Sequence, residues 1–102
     1  MKDKPDLAIT DTEWSIVRDI LQKYLPRQSV WAFGSRVRNT HKPFSDLDIV
    51  VVNDEPLSIA TMAELSVAFS ESDLPWKVDV VDWASISEGF RNSILADKEL
   101  LQ

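Results

Sequence analysis

The chain has 102 residues, 44% of them apolar and 27% charged, with a net charge of −6. That length predicts one domain with a single modest core and no room for a separate substrate domain. The acidic balance argues against direct binding of nucleic acid, which needs a basic face, and the absence of cysteine excludes disulfides and thiolate metal sites.

No apolar run reaches membrane-spanning length and no signal-peptide pattern opens the chain, so no membrane is expected and a cytoplasmic location is the default. His41 is the only histidine. A His-rich zinc site is therefore excluded, and a His-based triad would rest on one residue.

Residues 1–9 are polar, carry Pro5, and are expected to fray. Thr10 and Glu13 have capping-box spacing, and Val17, Ile20, Leu21 and Tyr24 recur at helical spacing. These predict a helix over about 11–25, stopped by Pro26. Val30 to Phe33 reads as a short strand ended by Gly34-Ser35, and residues 35–45 as a loop that opens with at most one helical turn. Leu47 to Val52 is a continuous, largely β-branched run, the pattern of a central strand.

A turn follows at Asn53 to Pro56. A second helix opens at Leu57 or Ser58, carries an apolar stripe of Ile59, Met62, Leu65 and Phe69, and ends near Ser72-Asp73. Trp76 to Trp83 reads as a third strand, with Val78 and Val80 on one face and Asp79 and Val81 on the other. Ser85 and Glu88 again have capping-box spacing, and a last helix is expected over 85–99, with Phe90, Ile94 and Leu95 or Lys98 towards its buried side. The order predicts an α+β fold, a small mixed sheet covered by helices. Of the four tryptophans, Trp31 is expected in the core, while Trp14, Trp76 or Trp83 could anchor a partner surface.

Chemistry concentrates in FGSRVRNTHKPFSDLDIVV, residues 33–51. Asp46 and Asp48 stand two residues apart at a strand entrance, so their carboxylates share a face. Like charges there repel unless a cation lies between them. Hard divalent cations accept such oxygen ligands and take the rest of their shell from phosphates. Gly34 lets the backbone approach a ligand closely. The amides of Ser35 and Arg36 and the Ser35 hydroxyl are suited to a phosphate, with Arg36 and Arg38 adding positive charge. Gly-Ser alone is a common turn and SDLD alone a common loop end. Asp79, inside an apolar strand and able to face Asp48, makes the combination specific. Asp82 competes for that third place, but its parity differs and it lies near the strand end, where capping or turn duty is usual.

The run Gly-Ser, ten residues, Asp-x-Asp resembles the signature of the minimal nucleotidyltransferases of the DNA polymerase β-like superfamily. The likeness extends along the chain through VWAFGSR, SDLDIVVV and KVDVVDW. It implies a polymerase β palm-like fold in which Gly34, Ser35 and Arg36 hold the triphosphate of ATP. Asp46, Asp48 and Asp79 would bind Mg²⁺ (or Mn²⁺), with Asp79 as ligand or base towards an acceptor hydroxyl. It implies further an antitoxin of a two-gene module that transfers AMP to a tyrosine of a small all-helical HEPN-type partner. Asn39 and Phe44 depart from the family pattern, standing where small residues, often glycine, are common. The rival reading is a weak or inactive nucleotide-binding module that neutralises its partner by contact. Polymer extension on nucleic acid is disfavoured by the charge.

Overall fold

In the computed structural model, which describes residues 4–102, a four-stranded mixed sheet of order β3-β2-β1-β4 carries helices on both faces. Helix α1 spans Asp11–Tyr24. Its capping box forms as the spacing predicts: Glu13 N donates to Thr10 Oγ1 at 3.1 Å, and Thr10 N donates to Glu13 Oε1 at 2.8 Å. Strand β1 (Ser29–Phe33) pairs antiparallel with β2 (Leu47–Val52), and β2 pairs parallel with β3 (Val78–Asp82) across the connecting helix α3 (Ile59–Ser70). The loop between β1 and β2 contains one short helix, α2 (Ser35–Arg38).

Alternation along the strands gives the sheet two unlike faces. Val30, Ala32, Leu47, Ile49 and Val51 are fully buried on one face, against Trp14, Val17 and Leu21 of α1 and Leu65 and Phe69 of α3. Each valine, leucine or isoleucine withdrawn from water in this way contributes about 1.5–3 kcal/mol. The opposite face carries Trp31, Phe33, Asp48, Val50 and Asp79, and α4 (Glu88–Asp97) covers part of it through Ile94 and Phe90.

Several expectations are corrected. Over residues 4–9 the amino-terminal segment is packed: Pro5, Leu7 and Ile9 are buried, and Ala8 N donates to Arg36 O at 3.0 Å. The alternation of Pro5, Leu7 and Ile9 is that of an extended chain with one apolar side. The remaining part of the expectation, residues 1–3, lies outside the described residues. Ile59 is 90% exposed rather than part of the α3 stripe, because six residues at 100° leave it about 120° round the helix from Leu65.

The last helix is shorter than expected. A 3₁₀ turn, Trp83–Ser85, precedes it, and its cap is Ser87, whose Oγ accepts from Phe90 N at 3.1 Å. Capping from Ser85 would lengthen the helix by two residues, but residues 83–85 are held in the 3₁₀ turn instead. Leu95 is 45% exposed, and Lys98 lies beyond the helix with its Nζ 4.5 Å from the Trp31 ring centre. The chain then forms a two-residue strand, β4 (Glu99–Leu100), against β1.

Ile9→Ala tests whether the amino-terminal segment belongs to the core. Truncating so buried an isoleucine should destabilise the protein by about 2–4 kcal/mol in urea melts. A loss below about 0.5 kcal/mol would mean that the segment is surface decoration.

Candidate functional site

The site begins where β1 ends. Gly34 has φ 84°, a left-handed conformation that strains any residue with a Cβ. Space demands glycine a second time: a Cβ at this position would overlap Asp48 Oδ2 and lie 3.3 Å from Asp48 Cγ. The pairing of Phe33 with Asp48 sets this approach, since it lays the strand exit beside the aspartate.

Gly34 is also the N-cap of α2, and Val37 N and Arg38 N both donate to its carbonyl at 3.1 Å. The first amides of any helix lack intrahelical acceptors, so those of Ser35 and Arg36 suit an anionic ligand next to Asp48. Asn39 closes the turn with φ 61° and ψ 28°. Asparagine tolerates that left-handed conformation. Phe44 is 78% exposed on the loop that follows.

Strand β2 fixes the aspartates. Leu47 is wholly buried on the core face, which turns Asp46 and Asp48 to the other side. Leu47 N donates to Lys77 O at 2.9 Å, and the parallel ladder this begins sets Asp79 directly beside Asp48. Val78 and Val80 pack on the core, so Asp79 emerges on the Asp48 face. The three carboxylates thus share one end of one sheet face. Desolvation, then the charges of Asp79 and Asp46, push the Asp48 carboxyl up to about 6 despite the opposing pull of Arg38.

Among the described residues, no three His, Cys, Asp or Glu side chains converge closely enough to enclose a metal ion by themselves. The set is hard, anionic and partly solvated. It fits a divalent cation whose remaining ligands come from a phosphate chain.

Asp82 takes the structural duty its position suggests. Its side chain turns to the helix-bearing face, where Oδ2 accepts from Leu57 N at 2.8 Å and holds the approach to α3. Arg36 departs from expectation. Its side chain is 4% exposed and turned into the protein, where Nε donates to Ser45 O at 3.0 Å, Nη1 to Ala8 O at 2.8 Å and Nη2 to Pro43 O at 3.1 Å. Burial lowers its pKa, and the charge of Glu13 works the other way. Of the phosphate-facing roles assigned to Arg36, the backbone amide remains; the guanidinium is occupied elsewhere. Arg38 lies 3.4 Å from Asp97.

The tryptophans sort differently from expectation. Trp14 and Trp76 are core residues. Trp31, expected in the core, is half-buried on the site face, edge-to-face with Trp83 at 5.4 Å between ring centres. Beside them Phe33 meets Phe90 at 5.7 Å, also edge-to-face. Only Trp83 of the three suggested anchors keeps an accessible surface. The strand pattern held the signal for Trp31, since its neighbours Val30 and Ala32 are the inward positions.

Residues 16–102 match the family model described as Polymerase beta, Nucleotidyltransferase. A probable protein adenylyltransferase MntA from Haemophilus influenzae is 51% identical over 88 residues, which span 86% of this chain and 77% of that protein. A crystal structure of a toxin-antitoxin with AMP-PNP superposes with a TM-score of 0.73 at 26% identity, over 87% of this chain and 72% of the other. The complex of tri-AMPylated Shewanella oneidensis HEPN toxin with MNT antitoxin shares the fold, with a TM-score of 0.68 at 22% identity over 92% and 72% of the two chains.

The carboxylate crowding has a pH signature. An unfolded aspartate titrates near 3.9, whereas Asp48 in the fold titrates at about 6. Between these values the folded state holds more protons, so stability is highest below the lower value and falls as pH rises to the upper one. Asp48→Asn should abolish that fall. With no nucleotide present it should be more stable than wild type at pH 8 by about 1 kcal/mol, the carboxylate being partly screened by water. Denaturant melts at pH 4 and pH 8 check this; equal pH slopes in the two proteins would refute the crowding.

Proposed function

The chain belongs to the polymerase β nucleotidyltransferase family, and from that premise we propose that it transfers AMP from ATP to a protein hydroxyl, a tyrosine of a small helical HEPN-type partner, as the antitoxin of a two-gene module. The observation that carries the reading is the placement of Asp46, Asp48 and Asp79 on one sheet face, beside a glycine turn that only a residue without a side chain could form. The Haemophilus influenzae relative's name supports protein adenylylation, and the AMP-PNP and HEPN complexes support ATP and the partner class.

Asp46 and Asp48 would hold Mg²⁺, with Asp79 as the third carboxylate; the cation, once bound with ATP, supplies neutralisation of the phosphate charge. The residues of the chain do the rest. The Ser35 hydroxyl and the amides opening α2 seat the triphosphate and fix the α-phosphorus relative to Asp79. The acceptor oxygen forms a bond to that phosphorus while the bond to the bridging oxygen breaks, and pyrophosphate leaves. The hydroxyl proton passes to the Asp79 carboxylate. Catalysis of this kind is mostly positioning and charge neutralisation.

A contact-only antitoxin is the second reading. It is favoured by the carboxylates' failure to converge on one point in the free chain. ATP labelled at the α-phosphate, given with Mg²⁺ and the partner, separates the two. Label should appear on the partner with wild-type protein, and Asp79→Asn should fold but lose transfer by at least about 100-fold. Asp82→Ala should do the reverse, losing about 1–2 kcal/mol of stability through the unpaired Leu57 amide while transfer persists. An unlabelled partner that is nevertheless neutralised would establish contact alone.

A further inference from the structure

Arg36 stands one residue after the phosphate turn, yet its guanidinium points away from it and is 4% exposed. A buried cation is tolerated only when its donors are satisfied. Here Nε, Nη1 and Nη2 each donate to a carbonyl, and the carbonyls come from two parts of the chain's approach to the site. Ala8 lies in the packed amino-terminal segment, and it returns the contact: Arg36 Nη1 donates to Ala8 O at 2.8 Å, and Ala8 N donates to Arg36 O at 3.0 Å. Pro43 and Ser45 flank Phe44 in the loop that leads into Asp46. The turn they form is closed by its own bonds, Ser45 N to Lys42 O at 3.0 Å and Lys42 N to Ser45 Oγ at 2.8 Å. A fourth contact is with Trp76, whose ring centre lies 4.6 Å from the guanidinium carbon and which precedes Asp79 by three residues.

We infer that Arg36 is a positioning residue that fastens together the phosphate turn, the loop carrying Asp46 and the root of the strand carrying Asp79, and does not bind phosphate itself. The inference rests on the nucleotide-transfer reading of the site, but the geometry it describes exists without ATP. Arg36 is itself a member of α2, so any movement of the turn drags the fork and the carbonyls bound to it. Ser45 is covalently adjacent to Asp46, so the bond to its carbonyl fixes the direction in which the chain enters β2. The planar fork is essential: its three nitrogens reach three separate acceptors at once, while its carbon lies over the indole ring. Lysine, a point charge on a flexible stem, offers neither.

The test uses Arg36→Lys and needs no transfer assay. Hydrogen exchange followed by mass spectrometry should show amides of residues 40–48 exchanging at least about tenfold faster than in wild type, with α1 and α3 changed by less than about twofold. Affinity for ATP without metal should stay within about twofold, while affinity for ATP with Mn²⁺ falls about tenfold, because only the metal-dependent part needs the aspartates in place. A tenfold loss of metal-free ATP affinity with unchanged exchange at 40–48 would make Arg36 a phosphate ligand and overturn the inference. Faster exchange throughout would make it an ordinary core residue and overturn it equally. If the variant does not fold, the Nε–H resonance of Arg36 in the wild-type protein decides: it should be protected from solvent and unmoved when ATP saturates the site. A large shift on ATP binding would contradict the inference. Failure of the wild-type protein to transfer AMP would remove the proposed function but leave these results standing.

Discussion

Asp48 is held in a place an aspartate would not choose. One oxygen sits where a side chain on Gly34 would have to be, burial strips water from it, and the charges of Asp79 on the neighbouring strand and of Asp46 just before its own press on it. The rest of the site is arranged around that crowding. It requires glycine at position 34, it requires β1 to end where Phe33 pairs with Asp48, and it requires a parallel β3 in the register that sets Asp79 alongside. Each of these is a fold-level commitment, and together they hold the carboxylates in a crowding that is unfavourable at neutral pH. A cation bridging the carboxylates to a phosphate chain would turn the same repulsion into binding energy.

The sheet makes this affordable by dividing labour between its faces. Fully buried aliphatics from β1 and β2, flanked by the partly buried Val78 and Val80 of β3, meet α1 and α3 on one side and supply the stability. The other side carries the charge, with α4 and two edge-to-face aromatic pairs covering part of it, Phe33–Phe90 beside Asp48 and Trp31–Trp83 farther along β1. The Trp31–Trp83 pair is itself topped by cations, Arg91 over Trp83 at 5.1 Å and Lys98 over Trp31 at 4.5 Å. Gln102 ties the end of β4 to the turn after α1, its Nε2 donating to Leu25 O at 2.7 Å and to Gln28 O at 3.0 Å.

What could be read in the sequence was whatever has a period or a fixed spacing. The β-branched run 47–52 appears as β2 with those bounds, Thr10 and Glu13 form their box, and the parity of Val78 and Val80 placed Asp79 on the Asp48 face and Asp82 on the other. The contacts that escaped notice are those without a period. Arg36 reaches carbonyls seven, nine and 28 residues away, and nothing in a polar loop announces a buried cation. Strand β4 is two residues long and pairs only because β1 offers it an edge. Ser85 has the capping-box glutamate, Glu88, at N3, yet the structure uses Ser87, whose hydroxyl accepts from Phe90 N without a partner glutamate. The alternation of Pro5, Leu7 and Ile9 was legible but short, and a proline near a terminus disguised it.

The measurement that addresses the central claim is the affinity for ATP with and without Mg²⁺, in the wild-type protein and in an Asp46→Asn, Asp48→Asn double variant. If the aspartates are crowded for the sake of a cation, Mg²⁺ should tighten ATP binding to wild type by at least about tenfold and leave the double variant unchanged. Without Mg²⁺ the order should reverse, the double variant binding ATP more tightly because no carboxylates repel its phosphates. A double variant that still gains affinity from Mg²⁺ as wild type does would place the cation elsewhere and leave the crowding at Asp48 without the purpose given to it here.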